Sequence, residues 1–465
     1  MNILVVGSGG REHAICWSFR KSSRVEKLYC ANGNAGIAQI AECVAIKPDE
    51  VEKLADFAAE KNVDLTFVGG ETSLALGIVD EFESRGLKII GPNKQAAQLE
   101  SSKAFAKDFM ARHGVPTAKY ATAHSLASAV DILKNGDFGD ESTPVVVKAD
   151  GLAAGKGVVV AANRAKAIAA INEMAALVGA DAASKIVLEE CLVGREVSLL
   201  MFVDGEDFVL MPPVRDHKRI GDGDTGPNTG GMGTVTDSSL LYGDEIEDII
   251  HTMIEPTLAG CVQDGFPFRG ILFLGLMLTS GGAKLLEYNV RFGDPETQAI
   301  LVRLETDLVD ICETMCTSPR VSKGGTSNVE STALADAQAC ASSLSTIDIK
   351  WKQGSSACIV LASEGYPAKP RIGDAINGLD KVTDAQVFHA GTKSEPPAVA
   401  GGLTMRIGEL QPPATAGGSD FITSGGRVLG VIATGDDLET ALNTAYSAVE
   451  HINWPGMQYR RDIGR

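Results

Sequence analysis

Residues 144–162 read PVVVKADGLAAGKGVVVAA. Two Val-rich runs favour strands, and between them Gly151, Gly155 and Gly157 break regular structure. A strand, a glycine loop and a return strand make a flap that can close over phosphates. Lys148 ends the first strand facing that space, where a point charge can pair with ATP phosphates, and Lys156 lies in the loop itself. The loop has some letters of a P-loop without its mechanics. Only three residues separate Gly151 from Gly155, Gly157 stands where a Ser or Thr would hold Mg²⁺, and a strand follows in place of a helix. An Ala-rich stretch over 164–178 predicts a helix and KIVLEECL at 185–192 a third strand, completing a lid-sized α+β unit. The competing reading is a glycine hairpin with solvated lysines.

Before this unit, short apolar runs at 3–7 (ILVVG), 27–31 (KLYCA), 64–69 (DLTFVG) and 88–92 (KIIGP) alternate with amphipathic stretches, the pattern of a βαβ parallel sheet. The turn after the first run, Gly7-Ser8-Gly9-Gly10-Arg11-Glu12, aims backbone N–H groups at a ligand, and Arg11 adds a charge-assisted fork. A phosphate ligand, a dinucleotide site and a plain tight turn all remain open. The dinucleotide reading lacks a glycine at Glu12 and an acid near Ala31. A Ser-capped helix over 101–113 then leaves this first domain.

After the lid, GILFLGLMLT at 270–279 and KLLEYNVRF at 284–292 predict strands. Alternation places Glu287, Asn289 and Arg291 on one face and Leu286, Tyr288 and Val290 on the other. A carboxylate beside an amide carbonyl gives hard oxygen ligands of the kind Mg²⁺ takes, and Arg291 could hold a carboxylate or phosphate. Asp216-His217-Lys218-Arg219 precedes a glycine-laden loop over 221–233, long enough to suggest function. The stretch 321–346, rich in Ser, Thr, Ala and Gly, reads as an exposed connection, and SACIVLAS and GRVLGVIATG as strands of a last, β-rich domain.

Composition limits what these sites can serve. With 465 residues, 44% apolar, the chain needs several cores. A net charge of -18 makes nucleic acid an unexpected partner and requires any anionic substrate to find a local basic cluster. Nine cysteines without a C-x-x-C pair read as reduced thiols, with Cys312 and Cys316 on one buried helix face. The opening MNILVVGSGGREHA lacks a signal-peptide pattern, and no apolar run reaches membrane-spanning length, so a cytoplasmic protein with no membrane association is expected.

GGREHA, GNAG, KADGLAAGKG, EECL..RE, DHKR, GDTGPNTGGMG, EYNVRFGDPE and VFHAGTK stand in that order from Asn2 to about Ile463. Together they resemble the glycinamide ribonucleotide synthetase (phosphoribosylamine-glycine ligase) family of ATP-grasp enzymes. The resemblance implies an α/β and α+β multidomain ATP-grasp fold. Its parts would be a Rossmann-like pre-ATP-grasp domain over 1–101, linker helices and the small lid over 102–193, a central catalytic subdomain over 194–325 and a small β-rich domain over 326–465. It also implies ligation of glycine to 5-phosphoribosylamine with ATP, through glycyl phosphate, in purine biosynthesis. A monomer or weak dimer is expected.

By matching position, the resemblance implies that Lys103 and Lys148 hold ATP phosphates under the Gly151, Gly155, Lys156 and Gly157 flap. The segment Glu189, Glu190, Cys191 and Leu192 would line adenine, and Glu196 the ribose. Glu287 and Asn289 would bind Mg²⁺ or Mn²⁺. Gly10, Arg11 and Glu71 would serve phosphoribosylamine, while Asp216, Lys218, Arg291 and Asp294 would surround the amino-acid and transfer site. Three stretches depart from the family's usual pattern. Gly69-Gly70-Glu71-Thr72-Ser73 replaces GPEAP, Arg215 replaces a Gln before Asp216, and Arg195 stands where a second acid is common.

Overall fold

Ile3, Leu4, Val5 and Val6 are fully buried, so the first strand, Asn2–Gly7, is covered on both faces, as a continuous rather than alternating apolar run requires. In the computed structural model of the chain, which describes residues 1–152, 157–179, 182–317, 344–394 and 421–465, this strand is the centre of an all-parallel sheet. Its order is Glu42–Val44, Lys27–Asn32, Asn2–Gly7, Leu65–Val68, Ile89–Ile90. Strand order reverses beside Asn2–Gly7, so the crevice at the carboxyl ends of this strand and Leu65–Val68 faces the rest of the molecule.

Helix Lys103–Arg112 follows, capped by Ser102, whose hydroxyl accepts the Phe105 N–H. Asp150 also takes the Ser102 hydroxyl and the Ala104 N–H, tying the base of the glycine loop to this helix start. The lid is a four-stranded antiparallel sheet, Tyr120–Ala123, Ile186–Glu190, Val145–Ala149, Val158–Ala161, packed against helices Leu126–Lys134 and Arg164–Val178 over a core that includes Leu133, Val147, Ile171 and Met174. The predicted helix over 164–178 forms at those bounds.

One antiparallel sheet then runs through the remaining chain, in the order Gly282–Asn289, Arg269–Thr279, Arg195–Asp204, Val214–Asp216, Gly233–Thr236, Ser355–Ala362, Arg427–Gly435, Gln386–His389. The late strands SACIVLAS and GRVLGVIATG thus extend the sheet that carries Glu287, which brings Arg427 to the cleft. Most of the connection expected over 321–346 lies outside the described residues, apart from the 3-10 turn Leu344–Thr346. Among the described residues the cysteines are all free, Cys312 is fully buried, and no helix is long and apolar enough to cross a membrane.

The register of Gly282–Asn289 differs from simple alternation. Gly275 faces Glu287 but Leu276 faces Leu285, so Leu286 is the extra residue of a bulge. Leu285, not Leu286, joins Tyr288 and Val290 in the core, and Leu286 lines the cleft. Arg291 lies two residues past the strand, and its contacts are set by the turn that follows.

Candidate active site

A cleft of about 620 Å³ opens between the lid, the large sheet and the parallel sheet, within the range of small-molecule sites. Lys103, Lys148, Gly157, Glu189, Glu190, Leu192 and Glu196 line it on the lid side. Gly151, with φ of +123°, starts the glycine loop in a conformation side chains avoid, while Gly155 and Lys156 lie outside the described residues. Lys148 is buried, with Nζ 2.8 Å from Glu189 Oε1 and 3.3 Å from the Leu286 carbonyl that the bulge presents. Glu189 is itself 1% exposed and its second oxygen lies 3.2 Å from Lys107 Nζ. Burial, opposed by Glu189 and aided by the charge of Lys148, brings Lys107 down to about 8. The Glu190 carboxylate instead accepts the Lys119 N–H, and the Glu190 N–H donates to the Lys119 carbonyl.

The Glu287 carboxylate forms no hydrogen bond or ion pair with any described residue, although its backbone lies in the strand opposite Gly275. Desolvation opposes its charge, but Lys218, Lys148 and Lys103 outweigh that and hold its carboxyl below the usual range. An ionised, unpartnered carboxylate beside the Asn289 amide suits a hard cation. Among the described residues no cluster of three or more His, Cys, Asp or Glu could hold a metal alone. The pair therefore fits an ion that draws its other ligands from phosphates and water. Asn289 Oδ1 here accepts from Arg291 Nη2 at 3.0 Å. Lys218 is 2.6 Å from Glu196; desolvation in the cleft works against its charge, and Glu196, Glu287 and Asp216 raise its pKa nonetheless.

At the opposite end Arg11 sits in the first turn of helix Gly10–Arg20, with Nε 2.7 Å from Glu12 and Nη1 donating to the Phe292 carbonyl. Burial disfavours its charge, but Glu12, Glu71 and Asp294 hold it protonated. Arg291 reaches Glu100 at 2.7 Å and Glu71 at 3.3 Å, and Arg427 reaches Asp294 at 3.2 Å. Against the cost of burial, Arg291 and Arg11 keep the Glu71 carboxyl low, and Arg427 and Arg11 that of Asp294. Gly10 packs beside this group: a Cβ there would meet Gln298, whose amide donates to Asp294. Asp216 Oδ1 is buried without a hydrogen-bond partner beside Gly231, where an added Cβ would lie 2.7 Å from it. Burial first and Glu296 second push its carboxyl well up.

The dinucleotide reading of the first turn meets a physical obstacle. The Glu12 carboxylate takes the Gly9 N–H at 2.5 Å and fills the crevice so closely that a Cβ on Gly7 would lie 2.8 Å, and one on Gly69 2.3 Å, from Glu12 Oε1.

The N domain of phosphoribosylglycinamide synthetase matches residues 1–100, its ATP-grasp (A) domain 101–297 and its C domain 356–465. A phosphoribosylamine-glycine ligase of Xanthomonas axonopodis pv. citri is 42% identical over 471 residues, covering 100% of this chain and 97% of that one. The chain belongs to the phosphoribosylamine-glycine ligase family. Another member, from Caldanaerobacter subterraneus subsp. tengcongensis, is 39% identical, covering 100% of this chain and 99% of its own. The crystal structure of phosphoribosylamine-glycine ligase from Thermotoga maritima superposes with a TM-score of 0.76 at 30% identity, covering 100% of both chains. The biotin carboxylase domain of Hydrogenobacter thermophilus 2-oxoglutarate carboxylase, solved with MgADP and bicarbonate, has a TM-score of 0.67 at 16% identity over 98% of this chain and 91% of that one. It shares the ATP-grasp fold alone.

Within this family fold, sequence reasoning missed Lys107, Glu100 and Arg427. Lys107 had a signal, since it lies one helical turn from Lys103 on the same face. Glu100 and Arg427 had none, because tertiary packing alone brings them to Arg291 and Asp294.

Proposed function

We propose that this chain joins glycine to 5-phosphoribosylamine, forming glycinamide ribonucleotide, ADP and phosphate through glycyl phosphate, as a step of purine biosynthesis. The observation that carries this reading is Glu287: an ionised carboxylate without a side-chain partner, among Lys103, Lys148 and Lys218, suited to hold a cation that accompanies nucleotide phosphates. Glu287 and Asn289 would hold Mg²⁺ or Mn²⁺, which supplies positive charge to the phosphates when bound.

A glycine carboxylate oxygen attacks the γ-phosphorus and the bond to the ADP oxygen breaks. The amine nitrogen of phosphoribosylamine then attacks the glycyl carbonyl carbon, the bond to the phosphate oxygen breaks and the nitrogen loses a proton. Lys148 and Lys103 neutralise phosphate charge in the first step, and the flap beginning at Gly151 excludes water from the acyl phosphate. Leu192 and the backbone of Glu189 and Glu190 would receive adenine, and Glu196 the ribose hydroxyls. Asp216, with its unpartnered oxygen, together with Lys218, Arg291 and Asp294, would orient the glycine ammonium and carboxylate. Gly10, Arg11 and Glu71 would hold phosphoribosylamine.

ADP release tests the proposal, measured with glycine and freshly made phosphoribosylamine, each omitted in turn, and with bicarbonate replacing glycine. Release that requires both substrates is the expected result. Release sustained by bicarbonate would overturn it in favour of carboxylation.

A further inference from the structure

Lys107 is 2% exposed on the side of helix Lys103–Arg112 that faces the cleft, yet no step above uses it. Its ammonium lies 3.2 Å from Glu189 Oε2, while Lys148 lies 2.8 Å from Glu189 Oε1, so two lysines from different elements share one buried carboxylate. Lys107 Nζ also donates to Thr117 Oγ1 at 2.6 Å, and that hydroxyl donates to the Leu285 carbonyl at 2.6 Å. Leu285 directly precedes the bulged Leu286, whose carbonyl receives Lys148. The helix, the lid strand and the strand of Glu287 are therefore joined at one ammonium.

The charges in this group do not cancel, because two cations face one anion. Lys148 can turn toward a phosphate only if Glu189 keeps a partner, since a buried carboxylate left alone is strongly disfavoured. We propose that Lys107 is a positioning residue for nucleotide binding: it fixes Glu189, and through Glu189 it aims Lys148, remaining on the carboxylate when Lys148 engages a phosphate. This rests on the reading of the cleft as an ATP site. It adds a role for a residue that need not touch the nucleotide.

The test uses the full chain, with Mg²⁺ and the non-hydrolysable analogue AMPPNP titrated calorimetrically into wild type, Lys107→Met, Glu189→Gln and the double variant. Each single substitution is expected to weaken AMPPNP binding by roughly ten- to thirtyfold, and the double variant to bind within about threefold of Glu189→Gln, because residues acting through one partner are not additive. In steady-state assays KM for glycine stays within about threefold throughout, since the Lys107 contacts lie on the nucleotide side. Lys107→Met binding like wild type, or a double variant that loses the product of both single effects, would overturn the proposal. If Lys107→Met alone does not fold, Glu189→Gln against the double variant decides, because neither contains a buried unpaired carboxylate. Wild type that binds AMPPNP without ligating glycine would contradict the proposed reaction and leave Lys107 to be judged on binding.

Discussion

At the N-terminal end of the cleft the guanidinium groups already have carboxylates: Arg11 has Glu12, Arg291 has Glu71 and Glu100, and Arg427 has Asp294. At the lid end Glu287 has no partner, and the lysines nearest it hold its charge at a distance. The first end is neutralised in advance. A ligand phosphate there must displace or share an existing acid, so each contact yields only a difference between two good interactions. The second end is charged in advance, so a cation arriving with phosphates meets an acid that has given nothing up. Selective recognition suits the first arrangement and charge stabilisation during phosphoryl transfer suits the second.

The largest effect that would break this contrast comes from Glu287→Gln. We expect kcat to fall on the order of a hundred- to a thousandfold with ATP affinity within about tenfold of wild type, the scale of losing one transition-state charge contact. Raised Mg²⁺ or Mn²⁺ should recover part of the rate. Near wild-type turnover at ordinary Mg²⁺ would mean that Glu287 lines the cleft with no part in chemistry.

Acid should loosen the paired end through the histidines behind it. His13, on the helix of Arg11, takes the His389 N–H at 2.8 Å, and burial first, then the neighbouring His389, lowers its pKa to about 3. Burial alone lowers His389 to about 4. Their folded values lie below the unfolded one, so the stability is fully present above about pH 6.5 and is lost as pH falls toward 4. For His13 alone the loss at pH 4 is on the order of 3 kcal/mol. Thermal melts of wild type and His13→Asn check this, with a shallower decline expected in the variant and identical slopes counting against it.

Arg11→Ala sharpens the comparison from the other side. Losing one charge-assisted hydrogen bond should raise KM for phosphoribosylamine roughly ten- to a hundredfold while leaving ATP nearly untouched. An equal loss for ATP would mean the two ends are not separate. The smallest expected effect is that of Ser102→Ala, which removes the cap of the helix bearing Lys103 and should cost about 1 kcal/mol in denaturant unfolding. A change of a few tenths would show that Asp150 caps this helix by itself.

The parallel sheet, the lid and the helix over 164–178 were legible because apolar runs and their period report burial directly. The face carrying Glu287 and Asn289 was legible for the same reason. Alternation failed at Leu286, because a bulge depends on the partner strand at Gly275 and Leu276 and not on local residue type. The pairing of Glu189 with two lysines was also hidden. The family resemblance implied an adenine-lining segment, whereas a buried carboxylate takes whatever cations the fold brings near, here Lys107 from a helix about eighty residues earlier. Arg427 was read only as the start of a strand, since the sheet order that carries it to Asp294 joins segments far apart in the chain.

Oxygen transfer tests the central claim most directly. With glycine labelled by ¹⁸O in its carboxylate, phosphoribosylamine, ATP and Mg²⁺, the account predicts that phosphate released in a single turnover carries one ¹⁸O, because a glycine oxygen becomes the bridging oxygen of the acyl phosphate and leaves with phosphorus. Phosphate free of ¹⁸O, formed together with glycinamide ribonucleotide, would contradict it.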